Sequence, residues 1–123
     1  MNPVIHGGVG WLVAQPLERR RDRALVTQAA VAPDVDGVGL RVSEDPYLAW
    51  HHRLAHGALW AVATAVVVGV ASRSPKAALA GLVAFHIHVV MDLVGSGPGW
   101  PNLCWYPWAD TEWRPSWQWN LVS

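Results

Sequence analysis

Cysteine and charge are both scarce in this chain. Cys104 is the one cysteine among 123 residues, so no internal disulfide can form and a zinc ribbon built from thiolates is excluded. The redox compartment is left open by the same count. Charged residues make up only 15%, nine basic against nine acidic. The one basic cluster, Arg19 to Arg23, is broken by Asp22 and has no second basic stripe with which to form a groove, so no nucleic-acid partner is expected. Positive charge is also missing from Met1-Asn2-Pro3, ahead of the first apolar stretch, and a cleaved signal peptide is therefore not expected.

What fills the chain instead is apolar. Hydrophobic residues reach 52%, a bias toward membrane contact or a deeply buried fold. From Gly57 to Ala71 the run GALWAVATAVVVGVA holds no charge, and from Ala77 to Val94 the run AALAGLVAFHIHVVMDLV holds only Asp92. A crossing takes about 20 residues, which each run reaches only by taking in flanking polar groups. Two earlier segments, Val4 to Ala14 and Ala24 to Ala32, are about 16 Å or less as helices and cannot cross alone. They read as re-entrant, interfacial or packed.

The length suits one domain, residues 1–123, able to bury roughly two-thirds of its unfolded surface. Proline and glycine punctuate it into four helices. The first runs from about Pro3 to the break at Pro16, and the second lies within Leu17 to Ala32, before Pro33. The third begins between Pro46 and His52 and ends at Ser72 to Pro75; the fourth runs from Pro75 or Lys76 to Leu93, ahead of GSGPG. The expected fold is thus all-α: a four-helix up-and-down core over residues 1–94, with an irregular tryptophan-rich tail over 95–123. GVGLRV, from Gly37 to Val42, alternates weakly and is the one place where a strand would fit.

The residues that carry chemistry sit at the ends of the apolar runs. They are His6; Asp34 and Asp36; His51, His52 and His56; and His86, His88 and Asp92. If consecutive helices alternate in direction, the start of the first, the end of the second, the start of the third and the end of the fourth share one end of the bundle. Those are the four places these groups occupy. Imidazole and carboxylate together suit a divalent ion such as zinc or manganese, and they seldom enter apolar helices without a partner. The competing reading is ordinary helix capping and satisfied core polar residues, which would apply to Asp34 and Asp36 if they stood alone after Pro33.

Spacing narrows the set. Residues four apart share a helix face, so His52 with His56, and His88 with Asp92, can each aim two donors at one ion. His86, two residues from His88, points nearly the other way and reads as a supporting or core histidine. His51 falls in the lead-in to the third helix, where its direction is free. Asp34 and Asp36 lie in a turn where alternate residues can both face inward, and either could bridge two metals.

An early histidine, APDVD, HHRLAHGALW and FHIHVVMDLVGSGPGW, followed by a tryptophan-rich tail, resemble the YdjM-like membrane-bound metal-dependent hydrolases over most of the chain. The resemblance implies His6, Asp34, Asp36, a histidine at His51 or His52, His56, His88 and Asp92 as the metal set, in a membrane of the bacterial inner-membrane type. Gly57 departs from the pattern, standing where a small hydroxyl or amide residue is common.

Seven His/Asp candidates exceed what one tetrahedral zinc uses, so one or two ions are expected, zinc first and manganese second. Two ions would lower the pKa of a shared water and stabilise charge on a leaving oxygen, which suits hydrolysis of a phosphoester or ester of a small or lipid-like molecule. Asp34 or Asp36 is the candidate general base, and Arg53 the candidate anchor for a phosphate or carboxylate. A haem held by His56 and His88 is the reading from another class, and it uses none of the aspartates. A non-catalytic membrane protein whose polar groups fix helix packing is a third.

Trp100, Trp105, Trp108, Trp113, Trp117 and Trp119 crowd the tail, either as an interfacial aromatic belt around the mouth of the site or as a lid over the core. Arg19 to Arg23, Arg73 and Lys76 fall at the other end of the bundle. By the positive-inside tendency that end faces the cytoplasm and the site faces outward.

Overall fold

Asn2 and Pro3 set the first helix. The Asn2 side chain accepts from the Val4 N–H at 2.8 Å, and Pro3 occupies a first-turn position where its missing donor is not needed. In the computed structural model, which describes residues 2–35, 55–95, 102–113, 116, 117 and 119, this helix, α1, spans Pro3–Ala14. It stops short of Pro16, with the Gln15 side-chain amide donating to the Trp11 carbonyl at 2.9 Å. Helix α2 spans Arg20–Ala29, with Asp22 in its first turn, where a carboxylate complements the helix dipole. A short 3₁₀ turn over residues 32–35 follows, tied by Asp34 N–H to Val31 O at 3.0 Å.

Helix α3 spans Ala58–Ser72, beginning later than the sequence led us to expect. His56 therefore lies in the turn ahead of the helix, not on it. The cause is Gly57, whose extended backbone (φ −82°, ψ 162°) forms the N-cap without a side-chain acceptor. The tail supplies one instead: Ala58 N–H donates to the Cys104 carbonyl at 2.8 Å. Helix α4 spans Pro75–Gly95, and the Ser74 hydroxyl accepts from Ala77 N–H at 3.2 Å in its first turn.

The two ends of the bundle establish alternating directions. At one end the Arg19 guanidinium donates to Ser72 O at 2.6 Å and the Lys76 ammonium to Pro16 O at 3.1 Å, so cations cap the C-termini of α3 and α1. The starts of α1 and α3 and the ends of α2 and α4 gather at the other. Among the described residues the fold is four α-helices with one isolated bridge, Asn102 to Trp113, pinning the tail. The all-α expectation is met.

Small residues let the helices approach. A Cβ placed on Gly69 would stand 3.1 Å from Ala78 Cβ, and one on Gly81 would stand 3.3 Å from Val68, so α3 and α4 pack almost backbone to backbone. Gly10 brings α1 equally close to α2, where a Cβ would meet Ala30 Cβ and stand 3.3 Å from the Thr27 carbonyl. The core between them is mostly alanine and valine, with Phe85 its largest fully buried side chain. Large apolar side chains face outward instead: Val4 and Leu12 on α1, Val66 and Val70 on α3, Leu79 and Val90 on α4. Helix α4, at 21 residues, is long and apolar enough to cross a membrane, and only 39% of its most apolar window is buried.

Arg73 ends α3 in the left-handed conformation, φ 54°, which costs a residue with a Cβ about 1–2 kcal/mol. Arg73→Gly is expected to stabilise the protein by about 1 kcal/mol, read as a raised thermal midpoint.

Candidate metal centre

Four separate pieces of chain deliver the polar groups of the pocket. On α1 the buried face is His6, Gly10 and Ala14, spaced by four, so the close approach at Gly10 also turns His6 inward. On α4 the buried residues include Gly81, Ala84, Phe85, His88 and Asp92, which puts the histidine one turn before the aspartate on the core side. The 3₁₀ turn after α2 buries Pro33 and carries Asp34. His56 enters from the turn before α3. His6, His56, His88 and Asp92 are each no more than 2% exposed.

The Asp92 carboxylate is the meeting point. Oδ1 lies 3.3 Å from His6 Nε2, and Oδ2 lies 3.2 Å from His56 Nε2 and 3.0 Å from His88 Nε2. His88 Nε2 is in turn 3.3 Å from His56 Nε2 and 3.7 Å from Asp34 Oδ1. The His6 and His88 rings stack, centroids 3.7 Å apart and 25° between planes. Burial pushes the Asp34 carboxyl above its ordinary pKa, while His88 and His6 draw it back down.

Counting protons shows what this cluster lacks. His88 Nδ1–H donates to the Ala30 carbonyl at 2.7 Å; a carbonyl only accepts, so the proton must be on Nδ1. A neutral His88 then aims a lone pair, not a proton, at Asp92 Oδ2. Positive charge between those two atoms resolves the conflict, from a second proton or from a metal ion. His6 poses the same question: its Nε2 approaches Asp92 Oδ1 at 3.3 Å without hydrogen-bond geometry, while its buried Nδ1 and Asp34 Oδ2 have no hydrogen-bond partner. Buried groups left in that condition cost about 1–3 kcal/mol each. Protonating both stacked rings would set two like charges face to face.

A divalent cation answers these demands together. Donor atoms of His6, Asp34, His88 and Asp92 all lie within 4.8 Å of one another, and this cluster can hold a metal ion. Zinc bonds of about 2.0–2.1 Å imply tetrahedral edges of about 3.3 Å, close to the spacings around Asp92. With neutral imidazoles, the two carboxylates carry two negative charges for a divalent ion to balance. The Ala30 carbonyl behind His88 is the outer contact that fixes the tautomer of a histidine ligand.

Of the sequence-derived candidates, the structure thus brings His6, Asp34, His56, His88 and Asp92 to one place. Asp36, His51, His52 and Arg53 lie outside the described residues, as does the weakly alternating 37–42 segment. His86 turns away as its spacing requires; it is exposed, and its Nδ1–H donates to Leu82 O at 2.8 Å within its own helix. Two contributors carry no sequence signal. One is the Ala30 carbonyl, a backbone atom. The other is Asn102, fully buried, exchanging backbone hydrogen bonds with Trp113 and reaching the Val89 carbonyl with its side-chain amide at 3.5 Å. The departure at Gly57 also has a cause: a Cβ there would lie 2.8 Å from the Tyr106 carbonyl oxygen, too close for any other residue. No family model, curated protein or solved structure matches the chain.

Zinc at about 100 times its dissociation constant is expected to raise the unfolding free energy by about 2.7 kcal/mol. Asp34→Asn removes most of that increment while leaving the metal-free protein no less stable, because burial already disfavours the carboxylate charge. Thermal melts with and without zinc test both statements. Acidification should reverse the zinc effect, since imidazole ligands must be unprotonated.

Proposed function

We propose that this protein is a membrane-associated, metal-dependent hydrolase acting on an ester or phosphoester bond. The observation that carries the reading is the proton count at His88: a lone pair fixed toward a buried carboxylate, beside a histidine and an aspartate with unsatisfied atoms. His6, Asp34, His88 and Asp92 are the residues that would hold the ion, with His56 against Asp92 and His88. Bound there, a divalent ion, zinc in first place and manganese in second, would supply a Lewis acid that activates water and polarises the scissile group.

The chain's own residues divide the remaining work. Asp92, packed against three imidazoles, is the anchor of the pocket. His88 is oriented by Ala30 O and cannot rotate without losing that bond. Asp34 is the least buried carboxylate, with a side chain 15% exposed and Oδ2 unpartnered, so it is the group placed to accept a proton from water. Asp36, His51 or His52, and Arg53 complete the proposal from the sequence side, as ligands of a second ion and as an anion anchor. The resemblance of these motifs to YdjM-like hydrolases, which no family model matches, points to the same chemical class.

Membrane association is supported by the outward apolar faces of α1, α3 and α4 and by the length of α4. The exposed Trp105, Trp108, Trp113, Trp117 and Trp119 suit a headgroup-level belt. If the protein spans, the positive-inside tendency applied to Arg19 to Arg23, Arg73 and Lys76 supports a cytoplasmic placement of the opposite end, with the pocket on the far side. Haem between His56 and His88 is less well supported, because Asp92, His6 and Asp34 crowd the space a macrocycle would need.

Purified protein is expected to carry zinc at one to two ions per chain and to cleave p-nitrophenyl acetate or bis-p-nitrophenyl phosphate. Chelation should abolish turnover and zinc restore it. Asp92→Ala and His6→Ala should each lower activity by at least a hundredfold and lose metal. Turnover that ignores chelation, or a protein that takes up no divalent ion, would sink the proposal.

A further inference from the structure

A cavity of about 270 Å³ runs between α2 and α3, separate from the polar pocket. Its walls are Leu25, Ala29 and Ala32 on the α2 side and Trp60, Ala63 and Val68 on the α3 side, with Gln28 and Thr64 its polar members. The space exists because small residues face each other, three of those six being alanine. Its volume lies near the low end for small-molecule sites, and its width is set by the two helices that flank it.

Its position gives it a meaning. Ala32 is separated from Asp34 only by Pro33, and Trp60 lies four residues past His56, so one end of the groove lies beside the turns that carry those two residues. Leu25 and Val68 lie about two turns further along, toward the basic end. The space is therefore a mostly apolar open groove whose lining extends along both helices, from the turns that carry Asp34 and His56 toward the basic end. Its α3 edge reaches the outer surface, where Val66, Val67 and Val70 are exposed alongside it. Each methylene buried in such a groove multiplies affinity about fourfold.

We infer that the groove between α2 and α3 holds the hydrocarbon chain of the substrate, which makes the substrate class a single-chain or chain-by-chain bound lipid ester or lipid phosphoester. The inference rests on the hydrolase reading for the word substrate, but on the cavity alone for the word chain. A polar soluble metabolite would leave the groove without a function. A chain entering from the bilayer would meet mostly apolar surface, Gln28 and Thr64 aside, and bring its headgroup linkage toward Asp34 and His56.

Two measurements on the full-length, zinc-loaded protein test this, and they fail separately. The first compares p-nitrophenyl octanoate with p-nitrophenyl acetate. Wild type should favour the longer ester by at least tenfold in kcat/KM. Ala63→Trp, which fills the groove, should bring that ratio to near one, whereas Leu79→Trp on the outer face of α4 should leave it unchanged; zinc content reports that each variant is folded. The second measurement needs no turnover. A C16 fatty acid carrying a tail diazirine should photolabel residues 60–68 from within the groove in wild type and not in Ala63→Trp.

Octanoate and acetate cleaved at equal kcat/KM, or a label that falls elsewhere or persists in Ala63→Trp, overturns the inference. A partner helix seated in the groove would also exclude the label and overturn it. No turnover of either ester with groove labelling intact sinks the hydrolase reading and upholds the groove as a hydrocarbon-chain site.

Discussion

His88 donates one ring proton to the Ala30 carbonyl and thereby loses its freedom to donate through that nitrogen to anything else. That bond ties the end of α2 to the last turns of α4 and fixes which side of the imidazole faces Asp92. Much of the local architecture can be read as keeping it in place. Gly10 lets α1 lie against Ala30, which holds that segment down and stacks His6 on His88. Gly81 and Gly69 draw α3 against α4 and bring His56 within reach of both Asp92 and His88. The glycines and the histidines belong to one design. Close backbone approach is what allows short side chains from different helices to converge.

How much of this the sequence discloses depends on whether a feature is local. Helix ends marked by Pro3, Pro16, Pro33 and Pro75 are legible because proline acts on its own backbone. The pairing of His88 with Asp92, and the exclusion of His86, follow from helical periodicity alone. The gathering of His6, Asp34 and His56 around them follows from alternating helix direction. The start of α3 does not, because Gly57 yields the first helical turn to a cap that comes from Cys104, far along the chain. The same distance hides Asn102, whose burial depends on Trp113 and Val89 and on no periodic pattern. Nor does any letter of the sequence announce a carbonyl such as that of Ala30 as a ligand-orienting group.

Among the described residues, large apolar side chains are exposed and several polar ones are buried. Charge and imidazole concentrate in the interior at one end, cations cap helix ends at the other, and valine and leucine face outward between them. The hydrocarbon surrounding proposed above would remove the penalty for those exposed side chains, and it would provide no driving force for the helices to associate. Close packing at glycine and alanine then carries more of the association. His6, His56, His88 and Asp92 are shielded from solvent while Asp34 is partly exposed, and that burial strengthens each electrostatic contact and sharpens the cost of any that is unsatisfied.

The tail is fastened to the pocket by backbone. Ala58 N–H reaches Cys104 O, the Tyr106 carbonyl fills the space beside Gly57, and Asn102 hooks onto Val89 one residue past His88. His56 sits on the very turn that these contacts clamp. Whatever displaces the 102–106 segment would therefore also loosen the turn that presents His56 to Asp92, so the tail is part of what holds that imidazole in place.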